Sequence, residues 1–267
     1  MIDVHSHLLP GIDDGPRSTD EAMALAQACV DDGITHCVLT PHVYPGVFDN
    51  GIESIRAAFV AFQTALEAER IELSVSFAAE VRLSPEVFEL IEAHRIPMLV
   101  AEDGIRTMLL ELPDGQIPVG ARTFVAWLLR RGIRPLIVHP ERNKAVMEHP
   151  EKLLDFVRDG CMLQLTAGSL VGQFGARARV TALHLLEKGW VTLVASDAHN
   201  LRGRRPMMSA ARAALVEGWG TEFADVLTRQ APAALCGVSS ALKAPLQPAA
   251  SAGSNASVLR TSPLPIR

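Results

Sequence analysis

The chain has 267 residues, of which 48% are hydrophobic, with a formal net charge of −5 and a pI near 6.0. That length buries a substantial core in one domain or two, and the acidic balance supplies no general attraction to nucleic acid or an anionic membrane. Cys29, Cys37, Cys161 and Cys236 are scattered without a CxxC pair, which suits a reducing compartment better than a disulfide framework. The opening MIDVHSHLLPG lacks the basic stretch and apolar run of a signal peptide, and no apolar run approaches the ~20 residues of a membrane span. The expectation is a soluble, cytoplasmic protein without a transmembrane segment.

In chain order, residues 1–5 (MIDVH) predict a strand followed by a Gly/Asp/Pro loop. Ser18 or Thr19 can cap a helix to about Asp31, with Asp20 and Glu21 favourable in its first turn, and Gly33 ends it. Residues 35–40 (THCVLT) form the next strand. Residues 52–69 suit a helix because Ile55, Phe59, Phe62 and Leu66 recur at three- and four-residue steps. Further strands are expected near 73–80, 107–112, 135–139, 161–166 and 191–196, and helices near 84–94, 120–131, 150–159, 175–188 and 206–217. This alternation predicts an α/β fold with a parallel sheet, and the strand count favours a closed or nearly closed barrel over a doubly wound open sheet. From about Lys243 the composition turns to Ala, Ser, Pro and Gly, which predicts a domain over 1–242 and a disordered tail over 243–267.

The chemistry-bearing residues collect at strand ends. His5 and His7 follow the first strand, His42 follows VLTP, Glu80 ends the third strand, Glu111 sits late in MLLEL, His139 ends LIVH, and Asp197 and His199 follow LVAS. In a parallel α/β barrel the strand C-termini open on one face, so these nitrogen and oxygen ligands converge on one mouth. His-x-His at a strand end directs two imidazoles the same way, although such pairs also arise by chance. A carboxylate ending an apolar strand is costly to bury unless a cation compensates it; for Glu80 or Glu111 alone, a structural ion pair with an arginine is the alternative. His36, His94, His149 and His184 lie away from the mouth and read as packing or surface residues.

Taken together, MIDVHSHLLPGIDDGPRS, TPH at 40–42, VHPER at 138–142 and SDAHNLRGRRP at 196–206 resemble one family. The chain is similar, over roughly residues 1–235, to the bacterial manganese-dependent protein-tyrosine phosphatases of the polymerase-and-histidinol-phosphatase (PHP) superfamily. Those enzymes accompany the tyrosine autokinases of capsule and exopolysaccharide synthesis. The resemblance implies a distorted seven-stranded (β/α) barrel of the PHP type holding three metal ions. It implies His5, His7, Glu80 and Asp197 around the first ion; Glu80 bridging to a second with Glu111 and His139; and Asp14, His42 and His199 around the third. Asp13 is an alternative to Asp14. Arg142 in HPER and Arg204 in NLRGR match positions that meet the phosphate, with Arg202 and Arg205 crowding the same loop. Asn143 and the segment LPDGQIPVG after Glu111 depart from the family pattern and bear on substrate identity.

Histidine and carboxylate ligands without thiolate suit manganese, iron or zinc, and the carboxylate share favours manganese. A water bridging two such ions loses a proton readily, since coordination lowers its pKa to about 7. The expected reaction is attack of that hydroxide on phosphorus, with forked arginines stabilising the transition-state charge. A cysteine mechanism is excluded, because the positions six residues after the four cysteines are Thr35, Val43, Ala167 and Leu242 rather than arginine. No GxxxxGK[ST] loop is present. The competing expectations are a small-molecule phosphatase such as one acting on histidinol phosphate, a nuclease-like phosphodiesterase, and a non-catalytic, metal-stabilised binding module.

Overall fold

Apolar side chains alternate along the short strands of this chain, and helices with one apolar face separate them. The computed structural model describes residues 1–238. The first half runs β1 (Ile2–Ser6), α1 (Thr19–Asp31), β2 (His36–Leu39), β3 (His42–Val43), α2 (Ile52–Glu69), β4 (Ser74–Phe77), β5 (Glu80–Arg82), α3 (Val87–Glu92), β6 (Leu99–Val100) and β7 (Arg106–Glu111). There follow α4 (Ala121–Arg130), β8 (Ile133–Val138), α5 (Lys144–Glu148), α6 (Leu154–Arg158), β9 (Met162–Thr166), α7 (Ala167–Leu170) and α8 (Gly175–Glu187). The last described elements are β10 (Leu193–Ala195), α9 (Met208–Trp219), α10 (Thr221–Asp225) and α11 (Ala231–Cys236). The expected domain end at 242 and the tail over 243–267 lie outside the described residues. Among the described residues no helix is long and apolar enough to cross a membrane.

The fold is α/β with parallel sheets, as the alternation predicted. Strands β1, β2 and β4 make one three-stranded sheet, and β10, β9, β8, β7, β5 and β3 run in that order through a seven-stranded sheet. The seventh strand, β6, pairs antiparallel with β7. The expected closed ring of seven strands is not a single hydrogen-bonded sheet here. Two predicted strands are each split: 35–40 gives way to β2 and β3 on either side of Thr40–Pro41, and 73–80 gives way to β4 and β5 on either side of Ala78–Ala79. Pro41 has no N–H to donate to a ladder, so the pairing partners change at that point. Glu80 consequently begins a strand rather than ending one.

Helix boundaries follow local chemistry. Ser18 caps α1 by accepting from the Glu21 N–H, and Asp20 and Glu21 occupy the first turn as expected. In α2, Ile55, Phe62 and Leu66 are buried and Phe59 packs partly against them. Helix α9 starts at Met208 rather than 206, where the Asp32 carboxylate accepts from the Met208 and Ser209 N–H groups. The predicted helix over 150–159 is a 3-10 turn leading into α6. The helical run over 221–236 has no counterpart in the sequence expectation; it is assembled from short pieces, with Pro232 near the start of α11.

Strand periodicity sorts the core into two parts. Leu39, Leu110, Ile137, Leu165 and Val194 point outward and pack under the helices. Val4, Val38, Leu109, Leu136, Val138, Leu193 and Ala195 point the other way and meet in one small cluster drawn from both sheets, joined by Ala233 and Leu235 of α11. The end of β1 is tied to the segment after β10 by Asp197 N–H donating to His5 O and His7 N–H donating to Ala198 O, each at 2.8 Å. Asp3, fully buried, strengthens that tie by accepting from the backbone N–H (2.9 Å) and hydroxyl of Ser196. Replacing Asp3 with Ala strands those buried donors, each worth ~1–3 kcal/mol when unsatisfied. We expect urea denaturation of the Asp3→Ala variant to report a loss of ~2–4 kcal/mol; a loss near zero would remove Asp3 from this role.

Candidate metal centre

The strand ends deliver their polar side chains to one place. His5 lies in β1 and His7 just beyond it, His42 opens β3, Glu80 opens β5, and Glu111 closes β7. His139 follows β8, and Asp197 and His199 follow β10. His139 (φ 36°) and Asp197 (φ 53°) hold left-handed backbone, which non-glycine residues adopt at a cost, and each turns the chain sharply at a strand exit. The loop carrying Asp13 and Asp14 packs against the backbone of His7. A Cβ on Gly15 would sit 2.4 Å from His7 O, so the IDDGP loop requires glycine there.

Two buried carboxylates organise the centre. Glu80 Oε1 takes a 2.7 Å hydrogen bond with His139 Nε2. Its Oε2 lies 3.3 Å from His5 Nε2, 3.2 Å from His7 Nε2 and 3.0 Å from His42 Nδ1, yet accepts no hydrogen bond. Asp197 Oδ2 is bound by Arg142 at 2.7 Å and Arg204 at 2.6 Å, while its Oδ1, 3.4 Å from His5 Nε2, is likewise without a partner. His5 Nε2 and His7 Nε2 face each other at 3.3 Å. Their outer nitrogens are held by Gln164 Oε1 and Asp13 Oδ2, both at 2.7 Å, which directs the inner lone pairs into the shared space. Imidazole nitrogens and carboxylate oxygens gathered around one space, with two of the buried oxygens left without a hydrogen-bond partner, fit divalent cations.

The ligand atoms form three overlapping groups: His5, His7, Glu80 and Asp197; His7, Asp14, His42 and His199; and His42, Glu80 and Glu111. The first brings together the four residues that the resemblance places around one ion. The second contains the expected Asp14, His42 and His199, with His7 added. In the third, His42 stands where His139 was expected, because His139 is turned onto the far oxygen of Glu80. Asp14, with its side chain 48% exposed, is the loop carboxylate beside His42 (3.3 Å) and His199 (3.1 Å), whereas Asp13 supports His7 from behind. Glu111 also meets an arginine, Arg82, at 2.9 Å, so the ion-pair alternative and the ligand position coexist at that side chain.

Electrostatics reflect this crowding. Burial and then the Arg142 charge push His139 down to about 4, and burial and then His7 bring His199 to about 4. Burial is also the largest single effect on His7 and His42 and disfavours their charge, but the surrounding carboxylates together outweigh it: Asp13 with Glu80 raises His7 to about 9, and Glu80 with Asp14 and Glu111 raises His42 to about 11. Burial, reinforced by the Glu80 charge, lifts Glu111 to about 7. Despite burial, Asp197 is held well below the carboxylate range by Arg142 and Arg204.

The centre opens into a cleft of about 590 Å³ lined by Tyr44, Phe48, Arg82, Arg142, Phe174 and Arg204, among others. Phe48 stacks on His42 with centroids 5.5 Å apart, and Phe174 lies 4.8 Å beneath the Arg142 guanidinium. Arg202 and Arg205 are exposed, and of the loop arginines it is Arg204 that turns inward. Asn143 donates to Pro113 O and Gln116 O, fixing the LPDGQIPVG segment at the rim. Several contributors were not anticipated. Gln164 had a legible signal, a lone amide inside the apolar strand MLQLT. Arg82 had another, two residues after Glu80 on the same strand face. Phe48 and Phe174 come from loops, and no sequence pattern marks them. His36 is buried between Ser74 and Ser76, His94 and His149 are exposed and His184 is half-buried, all away from the centre.

The outer support of His5 gives a direct test. Gln164→Leu preserves bulk but releases the His5 ring, and loss of such a contact typically costs 10–100-fold in metal affinity. Equilibrium dialysis against manganese should show a loss of at least ~10-fold, and unchanged affinity would exclude the role.

The family model for capsular polysaccharide synthesis, CpsB/CapC, matches residues 1–236. Tyrosine-protein phosphatase YwqE of Bacillus subtilis is 34% identical over 231 residues, 86% of this chain and 90% of YwqE. A crystal structure from the pair YwqE of Bacillus subtilis and CpsB of Streptococcus pneumoniae, described as unique metal-dependent tyrosine phosphatases, superposes with a TM-score of 0.82 at 33% identity. It covers 90% of this chain and 96% of that one. A variant of organophosphorus hydrolase from Deinococcus radiodurans shares the fold at a TM-score of 0.54 and 17% identity, over 88% of this chain and 92% of its own. With nearly all of its described length matched by the family model, this chain belongs to the CpsB/CapC family of capsular polysaccharide synthesis.

Proposed function

We propose that this protein is a cytoplasmic, metal-dependent protein-tyrosine phosphatase that removes phosphate from a phosphotyrosine-containing protein, a tyrosine autokinase of capsule or exopolysaccharide synthesis. The observation that carries the reading is the pair of buried, unpartnered oxygens, Glu80 Oε2 and Asp197 Oδ1, set among imidazole nitrogens beside two arginines. The similarity to YwqE supports the reaction class. We assign His5, His7, Asp14, His42, Glu80, Glu111, His139, Asp197 and His199 to three manganese ions, and Arg142 and Arg204 to the phosphate. We read the two sheets as a distorted seven-lined barrel. Ala78 N–H donates to Leu39 O and Glu80 N–H to Pro41 O, so β2–β3 and β4–β5 act as two interrupted lines, and the Ser6–Ala198 bridge joins the ends.

Bound metals supply Lewis acidity, acidifying an attacking water and neutralising phosphoryl oxygens. The rest falls to the chain. Arg142 and Arg204 already point at one oxygen of Asp197, and their forked N–H groups suit two phosphoryl oxygens at once. Phe174 holds the Arg142 guanidinium in place, which limits the reorganisation needed as charge builds. Tyr44, Phe48 and Phe174 give the cleft aromatic walls suited to an aryl group. The tyrosinate leaving group, whose conjugate acid has a pKa of about 10, needs little protonation help.

Metal-stripped protein should release no phosphate from a phosphotyrosine peptide and regain release with manganese. Histidinol phosphate run alongside should be the poorer substrate; release from histidinol phosphate alone would move the activity to small-molecule metabolism. Arg142→Ala should lower turnover by at least ~10-fold, the scale of one lost transition-state contact, with metal content intact by atomic emission. His5→Ala or Glu80→Ala should lower metal content and activity together, and full retention of both would take that residue out of the ligand set.

A further inference from the structure

A second groove adjoins the metal centre. Its volume is about 490 Å³, and it shares Asp14 and His199 with the centre while Arg17, Glu21, Leu201 and Arg202 form its outer walls. The two grooves therefore meet at Asp14, which lines both. Arg17 and Arg202 are exposed, and among the described residues both enter hydrogen bonds only through their backbone N–H groups. Their guanidinium groups thus face solvent in a chain whose overall charge is negative. Of the two carboxylates on its walls, Glu21 accepts from the Arg17 N–H at 2.8 Å, and Asp14 is engaged by His42 and His199.

The loop that presents Arg202 is held firmly. Asn200 Oδ1 accepts from the N–H groups of Arg202, Gly203 and Arg204 at 3.1, 2.9 and 3.3 Å. His199 N–H donates to Arg204 O at 2.7 Å, and Gln173 Nε2 to Gly203 O at 2.7 Å. This geometry sends Arg204 inward to Asp197 and leaves Arg202 at the groove, dividing neighbouring arginines between two tasks. Leu201, 46% exposed beside it, adds an apolar contact of the kind an extended polypeptide covers.

We propose that this groove is a second substrate subsite, which takes the polypeptide on one side of the phosphotyrosine and selects acidic side chains there through Arg17 and Arg202. The proposal rests on the phosphatase reading of the adjoining centre. A polypeptide with its phosphotyrosine in the aromatic cleft passes over Asp14 into the groove, where two cations against Glu21 favour glutamate or aspartate and disfavour lysine. Such contacts act at the exposed rim, so they affect capture and weaken with salt.

The test compares synthetic phosphotyrosine peptides carrying Glu, Ala or Lys at flanking positions, with p-nitrophenyl phosphate as a reference too small to reach the groove. In the manganese-loaded wild type, kcat/KM should be roughly 3–10-fold higher for the Glu than the Ala peptide, the range of one or two exposed ion pairs. The difference should sit in KM and shrink with added sodium chloride. In Arg17→Glu/Arg202→Glu, the ratio of Glu-peptide to p-nitrophenyl phosphate turnover should fall and the Lys peptide should gain; Arg202→Gln should give an intermediate result. Equal kcat/KM for all three peptides in the wild type, or an unchanged ratio in the double variant, would overturn this inference and leave the phosphatase intact. Failure to hydrolyse p-nitrophenyl phosphate and every peptide would overturn both.

Discussion

Everything in this molecule turns on the need to hold two carboxylates, Glu80 and Asp197, in the interior among imidazoles. An uncompensated buried charge is among the most expensive features a fold can carry. The chain meets half of that demand itself, giving one oxygen of Glu80 to His139 and one oxygen of Asp197 to two arginines. The remaining oxygens both face His5 and His7, where a cation completes the compensation. A metal centre is therefore the state in which this packing is electrostatically complete.

That demand explains the surrounding architecture. Parallel strands bring the ends of β1, β3, β5, β7, β8 and β10 to one face, and the small inner cluster with α11 fills the space behind them. Left-handed turns at His139 and Asp197 and the glycine-dependent approach of the IDDGP loop spend backbone freedom to aim side chains. Gln164, Asp13 and Phe174 then fix rings and a guanidinium from behind. Each support is modest alone, but together they remove the rotamer freedom that would blur a metal site.

Charge is distributed by distance from the centre. Inward arginines meet Asp197, and Arg82 meets Glu111 at the rim of the cleft. Arg17 and Arg202 stand farther out, over a groove continuous with the site. In a protein of negative net charge, two exposed cations beside the mouth give local attraction there without general affinity for polyanions.

The sequence by itself determined the strand and helix alternation and marked the candidate ligands that stand at strand ends. Both follow from local rules: apolar periodicity, and polar groups recurring where apolar strands end. It also marked the arginine-rich loop, without saying which arginine turns inward. Only the tertiary structure decided that Asp14 lies among the ligand groups while Asp13 braces His7, that His42 stands with Glu111 while His139 turns to Glu80, and that Arg204 is the inward arginine. It also split two predicted strands at Thr40–Pro41 and Ala78–Ala79, and supplied Phe48 and Phe174 from loops. The reason is that a single residue's shift of register along a loop is invisible to periodicity, whereas the backbone hydrogen bonds of Asn200 and the close approach of Gly15 fix it in space.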